Sequence, residues 1–270
     1  MMQSHIPGAV TAAPPVLSLE NVSKTFASVV AVKPLSLTIP RHQVVGLIGE
    51  NGAGKSTLLK MLTGVHLPNQ GRMVLNGREV RFRGPLDATA QGVGIVHQEQ
   101  SLFTNLSVAE NIVMGAGRGG SKAVRAGLYR WSTVRAEAEA VLSRIGSRIN
   151  PDTLVGDLSF AERQMVEIAR TIHLACQTAE ARGGAPLVIL DEPTSVLEQA
   201  ETEVLEAEIA RLRGIGSVIF VSHRLEEVLR ICDRTVVMRD GEIVADRLTS
   251  EVTEADLYRL MIGKDRHART

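Results

Sequence analysis

The hydrophobic pattern changes period several times along the chain. From Val16 to Leu19 and from Leu35 to Ile39 apolar and polar residues alternate, as half-buried strands do. Val44 to Ile48 holds no polar residue and ends at Gly49, which predicts a strand buried on both faces. Lys55 to about Leu62 takes a helical period. Met73–Leu75 and Val80–Phe82 flank Asn76-Gly77, a strong hairpin signal, and read as edge strands. Gly94 to His97 is another short strand. The period then turns helical over Val108–Met114, Thr133–Ile145 and Glu162 to about Cys176. Leu187–Leu190 and Val218–Val221 return to buried apolar runs. Between them, a helix from about Glu198 to Arg213 lines up Leu205, Ile209 and Leu212, with Val204 at the edge. Glu208 and Arg211 can pair at i,i+3, and Gly214 is placed to end this helix. A strand at Thr235–Met238, a turn at Asp240-Gly241 and a helix at Thr253–Ile262 follow.

Strands and helices therefore alternate, with a helical insert from about 99 to 180. That order predicts an α/β fold with a mostly parallel sheet and a helical lobe. Residues 1–15, with three prolines and no period, read as a disordered tail.

Composition narrows the function. Lys plus Arg number 30 and Asp plus Glu 30, so no basic excess points to a wholesale nucleic-acid binder. Aromatic residues are 3%, too few for a base-stacking platform. The two cysteines, Cys176 and Cys232, exclude a disulfide framework and a four-cysteine zinc site. No apolar run is long enough to span a membrane, and the N-terminus has no signal-peptide pattern. The expectation is a cytoplasmic protein unless a partner holds it at a membrane.

The chemistry concentrates in a few stretches. Gly49-Glu50-Asn51-Gly52-Ala53-Gly54-Lys55-Ser56 fits G-x-x-x-x-G-K-[ST], between a predicted buried strand and a predicted helix. Glycines let the backbone wrap a phosphate, and the helix N-terminus adds positive potential. Lys55 can bridge β- and γ-phosphates, and Ser56 can hold Mg²⁺. Asp191 and Glu192 end a buried strand, where ligands bind in such sheets. Asp191 suits Mg²⁺ coordination; Glu192 suits polarisation of water. Gly115, Gly117 and Gly120 also match G-x-G-x-x-G, but follow a helix and read as a loop. Ser159 and Glu162 have the spacing of a capping box.

Together these stretches resemble the ATP-binding-cassette ATPases, and more narrowly the ATPase of bacterial monosaccharide importers. The resemblance spans about Leu17 to Lys264 and rests on GLIGENGAGKSTLLKMLTGV, GIVHQEQSLFTNLSVAENI, LSFAERQMVEIART, VILDEPTSVLEQAE, VSHRLEEVLRICDRTVVMRDGEIV and LYRLMIGKD. It implies a P-loop NTPase core with a mostly parallel sheet, an N-terminal antiparallel β part and an inserted helical subdomain. The implied domain is 16–270, with a RecA-like core over about 16–98 and 186–270 and the helical subdomain over about 99–185.

The resemblance also implies roles. ATP would be held by Phe26, stacked on adenine, by Gly49 through Ser56 with Thr57, and by Asp191. Glu192, His223 and Gln98 would be catalytic, and Ser56, Gln98 and Asp191 would hold Mg²⁺. Ser159, Phe160, Ala161 and Glu162 would form the signature facing the ATP of an opposite subunit. Asp233 and Arg234 are expected to stabilise the fold. Ala161 stands where the family most often has glycine, Glu198 where it has Asp or Thr, and His42-Gln43 where it has Gly-Glu. Residues 174–185 read as an added polar segment. Implied partners are membrane permease subunits, a second copy in a head-to-tail dimer and, indirectly, a periplasmic solute-binding protein. The implied location is the cytoplasmic face of the bacterial inner membrane. A non-transport cassette, or a regulatory one with impaired turnover, are the alternatives.

Overall fold

The computed structural model describes residues 14–97, 101–114, 124–125 and 128–263. Two sheets form its frame. The larger runs β12-β11-β3-β10-β9-β6, from β3 (Val44–Ile48), β6 (Val93–Val96), β9 (Leu187–Asp191), β10 (Ser217–Val221), β11 (Arg234–Arg239) and β12 (Glu242–Leu248). All its pairs are parallel except β11 with β12. The smaller, antiparallel sheet runs β2-β1-β4-β5, from β1 (Leu17–Phe26), β2 (Val29–Ile39), β4 (Gln70–Leu75) and β5 (Arg78–Val80). A two-stranded ribbon pairs β7 (Val124–Arg125) with β8 (Leu128–Tyr129).

The all-apolar strands divide their residues between two cores. Val44, Ile48, Val188, Leu190, Val218, Phe220 and Val237 face one cluster. Their neighbours Val45, Leu47, Leu187, Ile189, Ile219, Val221 and Val236 face the other. This is the period of two with both faces buried. On the first face lie α3 (Val108–Met114), α4 (Trp131–Arg144), α5 (Phe160–Ala181), α6 (Gln199–Arg213) and α7 (Leu225–Ile231). On the second lie α1 (Lys55–Leu62) and the antiparallel sheet. The last helix is α8 (Glu254–Ile262), and α2 (Pro85–Ala90) precedes β6.

Several elements differ from the sequence reading. β1 and β2 are longer than their alternating ends, because β-bulges between Leu19 and Thr25 break the alternation. β4 pairs with both β1 and β5, so it is an interior strand and of these two only β5 is an edge. Phe82 lies outside the strand and is buried in the second core. Asn76 and Gly77 both have positive φ, 51° and 78°, as a type I′ hairpin turn requires. α5 runs on to Ala181, so most of the added polar segment is helix. Gly214 ends α6 in the right-handed region, not the left-handed one. The strand β12 and the short helices α2 and α7 had no counterpart in the sequence reading.

Asp233 and Arg234 act as fold ties. Asp233 accepts the Val44 N–H at 2.9 Å and pairs with Arg213 at 3.1 Å. Arg234 pairs with Asp246 and donates to the Thr38 carbonyl at 2.8 Å. Among the described residues, no helix is long and apolar enough to cross a membrane.

Candidate functional site

Strand register brings several candidate residues to the carboxyl ends of three neighbouring strands of the large sheet. Val221 of β10 pairs with Asp191 of β9 on one side and Leu47 of β3 on the other. Gly49, Glu192 and Ser222 therefore leave the sheet side by side.

The Gly49–Ser56 loop turns tightly between β3 and α1. Gly49 has φ 157°, and a Cβ there would sit 2.3 Å from the Met238 carbonyl oxygen. Gly54 has φ 101°, and its Cβ would meet the Ala31 carbonyl oxygen at 2.7 Å. Neither site accepts a side chain. Gly54 opens α1 without a side-chain cap, and the first turn holds no acidic residue. Its first N–H groups are thus left for an incoming anion. Lys55 folds over the loop, donating to the carbonyls of Gly49 at 2.5 Å and Glu50 at 3.1 Å. Burial lowers its pKa, opposed by the nearby carboxylates of Glu192 and Asp191. Ser56 is exposed at the head of α1.

Across from the loop, burial raises the pKa of Asp191, and repulsion from Glu192 adds to it; His97 and Lys55 oppose the rise. Glu192 adopts φ 51°, the left-handed region that costs a glutamate strain. Its N–H donates to the Val221 carbonyl at 2.9 Å, which fixes this turn on β10. Its Oε2 lies 3.1 Å from His223 Nδ1. The arrangement sets a carboxylate against an imidazole, near a lysine and a glycine loop.

Phe26, at the end of β1, is 40% exposed, which excludes a core role. Its ring stands at 68° to His66 with 5.0 Å between centroids, and Lys24 Nζ lies 5.2 Å from it. The Ser159–Glu162 turn opens α5. A capping box closes it: Glu162 accepts the Ser159 N–H at 2.8 Å and donates its own N–H to Ser159 Oγ at 3.2 Å. It adjoins a groove of about 220 Å³ with Met165, Ala200 and Val204. Glu198 N–H donates to Glu201 at 2.9 Å, opening α6 beside this groove.

Gln98 lies outside the described residues, as do Gly115, Gly117 and Gly120. The residue after that gap, Ser101, is anchored on α5, donating to buried Glu167 at 2.6 Å and accepting from Arg170 at 2.6 Å. The sequence reading gave no role to His97 or to Glu227, which bonds both strand-end loops. Thr194 and Glu227 are joined across 33 positions, which no local pattern reveals.

The family described as ABC transporter matches residues 32–195. The ribose import ATP-binding protein RbsA of Caldanaerobacter subterraneus subsp. tengcongensis is 39% identical over 253 residues, covering 93% of this chain and 48% of that protein. That of Jannaschia sp. is 43% identical over 252 residues, covering 93% and 46%. The chain thus spans about half the length of the curated relatives it matches. Among solved structures, cbiO1 of Clostridium perfringens, part of the ABC transporter complex cbiONQ, has a TM-score of 0.73 at 24% identity over 91% of this chain and 94% of that one. A nucleotide-free ATP-binding cassette of an ABC transporter has a TM-score of 0.71 at 21% identity over 93% and 96%. These two likenesses establish the fold, that of an ABC nucleotide-binding domain. The family match runs from β2 past the Asp191–Glu192 turn, more than half of the residues, and by it the chain belongs to the ABC transporter family.

Proposed function

We propose that this chain is the ATP-hydrolysing subunit of an importer that carries a monosaccharide across the bacterial inner membrane. The observation that supports hydrolysis best is the meeting of an uncapped α1 N-terminus and Lys55 with a Glu192–His223 pair at 3.1 Å. The sugar rests on the likeness to ribose import ATP-binding proteins.

The residues fit a Mg²⁺ ion. Ser56 and Asp191 offer a hydroxyl and a carboxylate, with Gln98 as a third oxygen. Mg²⁺ typically takes one or two carboxylates together with substrate phosphates. Among the described residues no cluster of three or more His, Cys, Asp or Glu makes a protein-only cage. When bound, the ion would neutralise charge on the phosphates. Gly49 through Thr57 hold the phosphates by backbone N–H groups and Lys55, and Phe26 offers its exposed face to the adenine. Glu192 orients the attacking water, and His223 holds Glu192 and reaches towards the γ-phosphate.

The second half of the site comes from another chain. Ser159, Phe160, Ala161 and Glu162 open α5, and the capping box leaves the Ala161 N–H outside it. A second copy, related by a twofold axis, would bring this turn onto the first copy's ATP. Gln98 and the segment after it would move the membrane permease, and a periplasmic solute-binding protein would deliver the sugar. The chain then works at the cytoplasmic face of the membrane, as one domain over residues 16–270 with a helical subdomain at about 99–185.

Steady-state Mg-ATP hydrolysis measured against protein concentration tests this reading. Activity per chain should rise with concentration and then level off. Full activity per chain in a protein that sedimentation shows to be monomeric would rule out the shared site.

A further inference from the structure

The two turns that carry Glu192 and His223 are tied together by a third residue. Glu227 lies in the first turn of α7, with only 5% of its surface exposed. Its Oε2 accepts the Thr194 hydroxyl at 2.8 Å and the Ser222 hydroxyl at 2.8 Å. Its Oε1 accepts Arg224 Nη1 at 3.2 Å. Thr194 follows Glu192 by two residues, and Ser222 directly precedes His223. Thr194 and Ser222 are themselves buried, at 2% and 4% exposure.

The directions of these bonds are determined. Ser222 Oγ accepts the Arg224 N–H at 3.0 Å, so its one proton goes to Glu227. Thr194 likewise spends its proton on Glu227. One carboxylate oxygen therefore joins the two turns beyond the last backbone bond between them, from the Glu192 N–H to the Val221 carbonyl. Buried hydroxyls that lose such an acceptor are costly, so the tie resists stretching.

We propose that Glu227 is a positioning residue for turnover: it clamps the Glu192 and His223 turns at the spacing that lets the two side chains meet at 3.1 Å. This inference rests on the hydrolysis proposed above. The partners of the carboxylate are the Thr194, Ser222 and Arg224 side chains. A misplacement of reacting groups by about 1 Å can lower a rate by up to about a hundredfold. Nucleotide affinity depends on the Lys55 loop, which makes none of these bonds.

The test measures kcat, KM and ATP affinity for Thr194→Val, Ser222→Ala and Glu227→Gln at a temperature well below unfolding. Each hydroxyl variant should lose about fivefold or more in kcat, with ATP affinity within about twofold of the parent. Glu227→Gln, which keeps one acceptor oxygen for the two hydroxyls, should retain more activity than Glu227→Ala. The double variant Thr194→Val/Glu227→Ala should be no slower than Glu227→Ala alone, because both changes cut the same tie. If Glu227→Ala does not fold, the two hydroxyl variants decide the matter. Folded hydroxyl variants with kcat within twofold of the parent would overturn the inference, as would equal losses in kcat and affinity. A parent chain that hydrolyses no ATP under any condition would instead overturn the hydrolysis reading.

Discussion

Two helix N-termini in this chain are built in opposite ways. α1 opens at Gly54 with no side-chain cap and no acid in its first turn. α5 opens at Ser159 with a complete capping box, the hydroxyl and the Glu162 carboxylate each satisfying a backbone N–H. α8 starts with the same device at Thr253 and Asp256. The orphan N–H groups of a helix end need partners, and α1 leaves its own unmet by the protein's side chains. Packing holds α1 instead, through buried Leu58, Leu59, Met61 and Leu62. An open end gains most from an incoming anion; a self-capped end is complete before any ligand arrives. Changes around α1 should therefore be felt in nucleotide binding and chemistry. Changes at the α5 cap should be felt first in stability.

The largest effects belong to the open side. Glu192→Gln keeps the shape of the side chain and removes the charge proposed above to polarise water. It should lower turnover by about 10² or more while ATP still binds, and the dimer with ATP should last longer. Turnover near that of the parent would take the base away from Glu192. Lys55→Ala removes the charge partner proposed for the phosphates and should weaken ATP binding itself by about tenfold or more, read by calorimetry. Unchanged affinity would mean that the loop and the bare α1 end hold the phosphates without it.

The same contrast decides what could be read from the linear chain. The Gly49–Ser56 loop and the Asp191–Glu192 pair are contiguous, so their residue types announced them. Val44–Ile48, Leu187–Leu190 and Val218–Val221 were readable because a strand buried on both faces has no room for polar residues. β12 was not, because Glu242–Leu248 is an edge strand with mixed, half-exposed positions. α7 is seven residues long, too short to show a period. The Glu192–His223 contact depends on β9 and β10 being neighbours, a fact of topology that no spacing contains. Glu227 is hidden for the same reason. Ser159 and Glu162 were legible as a cap because that bond spans only three positions.

A middle-sized effect separates capping by the α5 turn from the second role proposed for it. Ser159→Ala removes the N-cap acceptor and should cost about 1 kcal/mol of stability. Ser159→Asp keeps a good cap but places a negative charge where the partner copy's ATP phosphate would dock. Its stability in urea should stay within about 0.5 kcal/mol of the parent, and its turnover should fall about tenfold or more. Parent-like turnover in a stable Ser159→Asp chain would leave the turn as a cap and nothing else.

The smallest effect lies further along α5 and limits how complete that helix is. His173 is 8% exposed, and its Nδ1 has no hydrogen-bond partner among the described residues. Its Nε2 lies 3.3 Å from Glu137. Burial lowers its pKa below the ordinary histidine value; Glu137 opposes the fall and Arg144 adds to it. The folded chain therefore binds this proton less readily than the unfolded chain does. The stability due to a neutral His173 is fully present above about pH 6.5, the unfolded value, and is lost as pH falls through the folded one. One proton allows a slope of at most about 1.4 kcal/mol per pH unit. His173→Gln keeps a donor for Glu137 and cannot titrate. Urea unfolding at pH 7.5 and pH 5.5 should show the parent losing more stability than His173→Gln over that interval. Equal losses would assign the acid sensitivity to other groups and leave α5 sound from its cap inward.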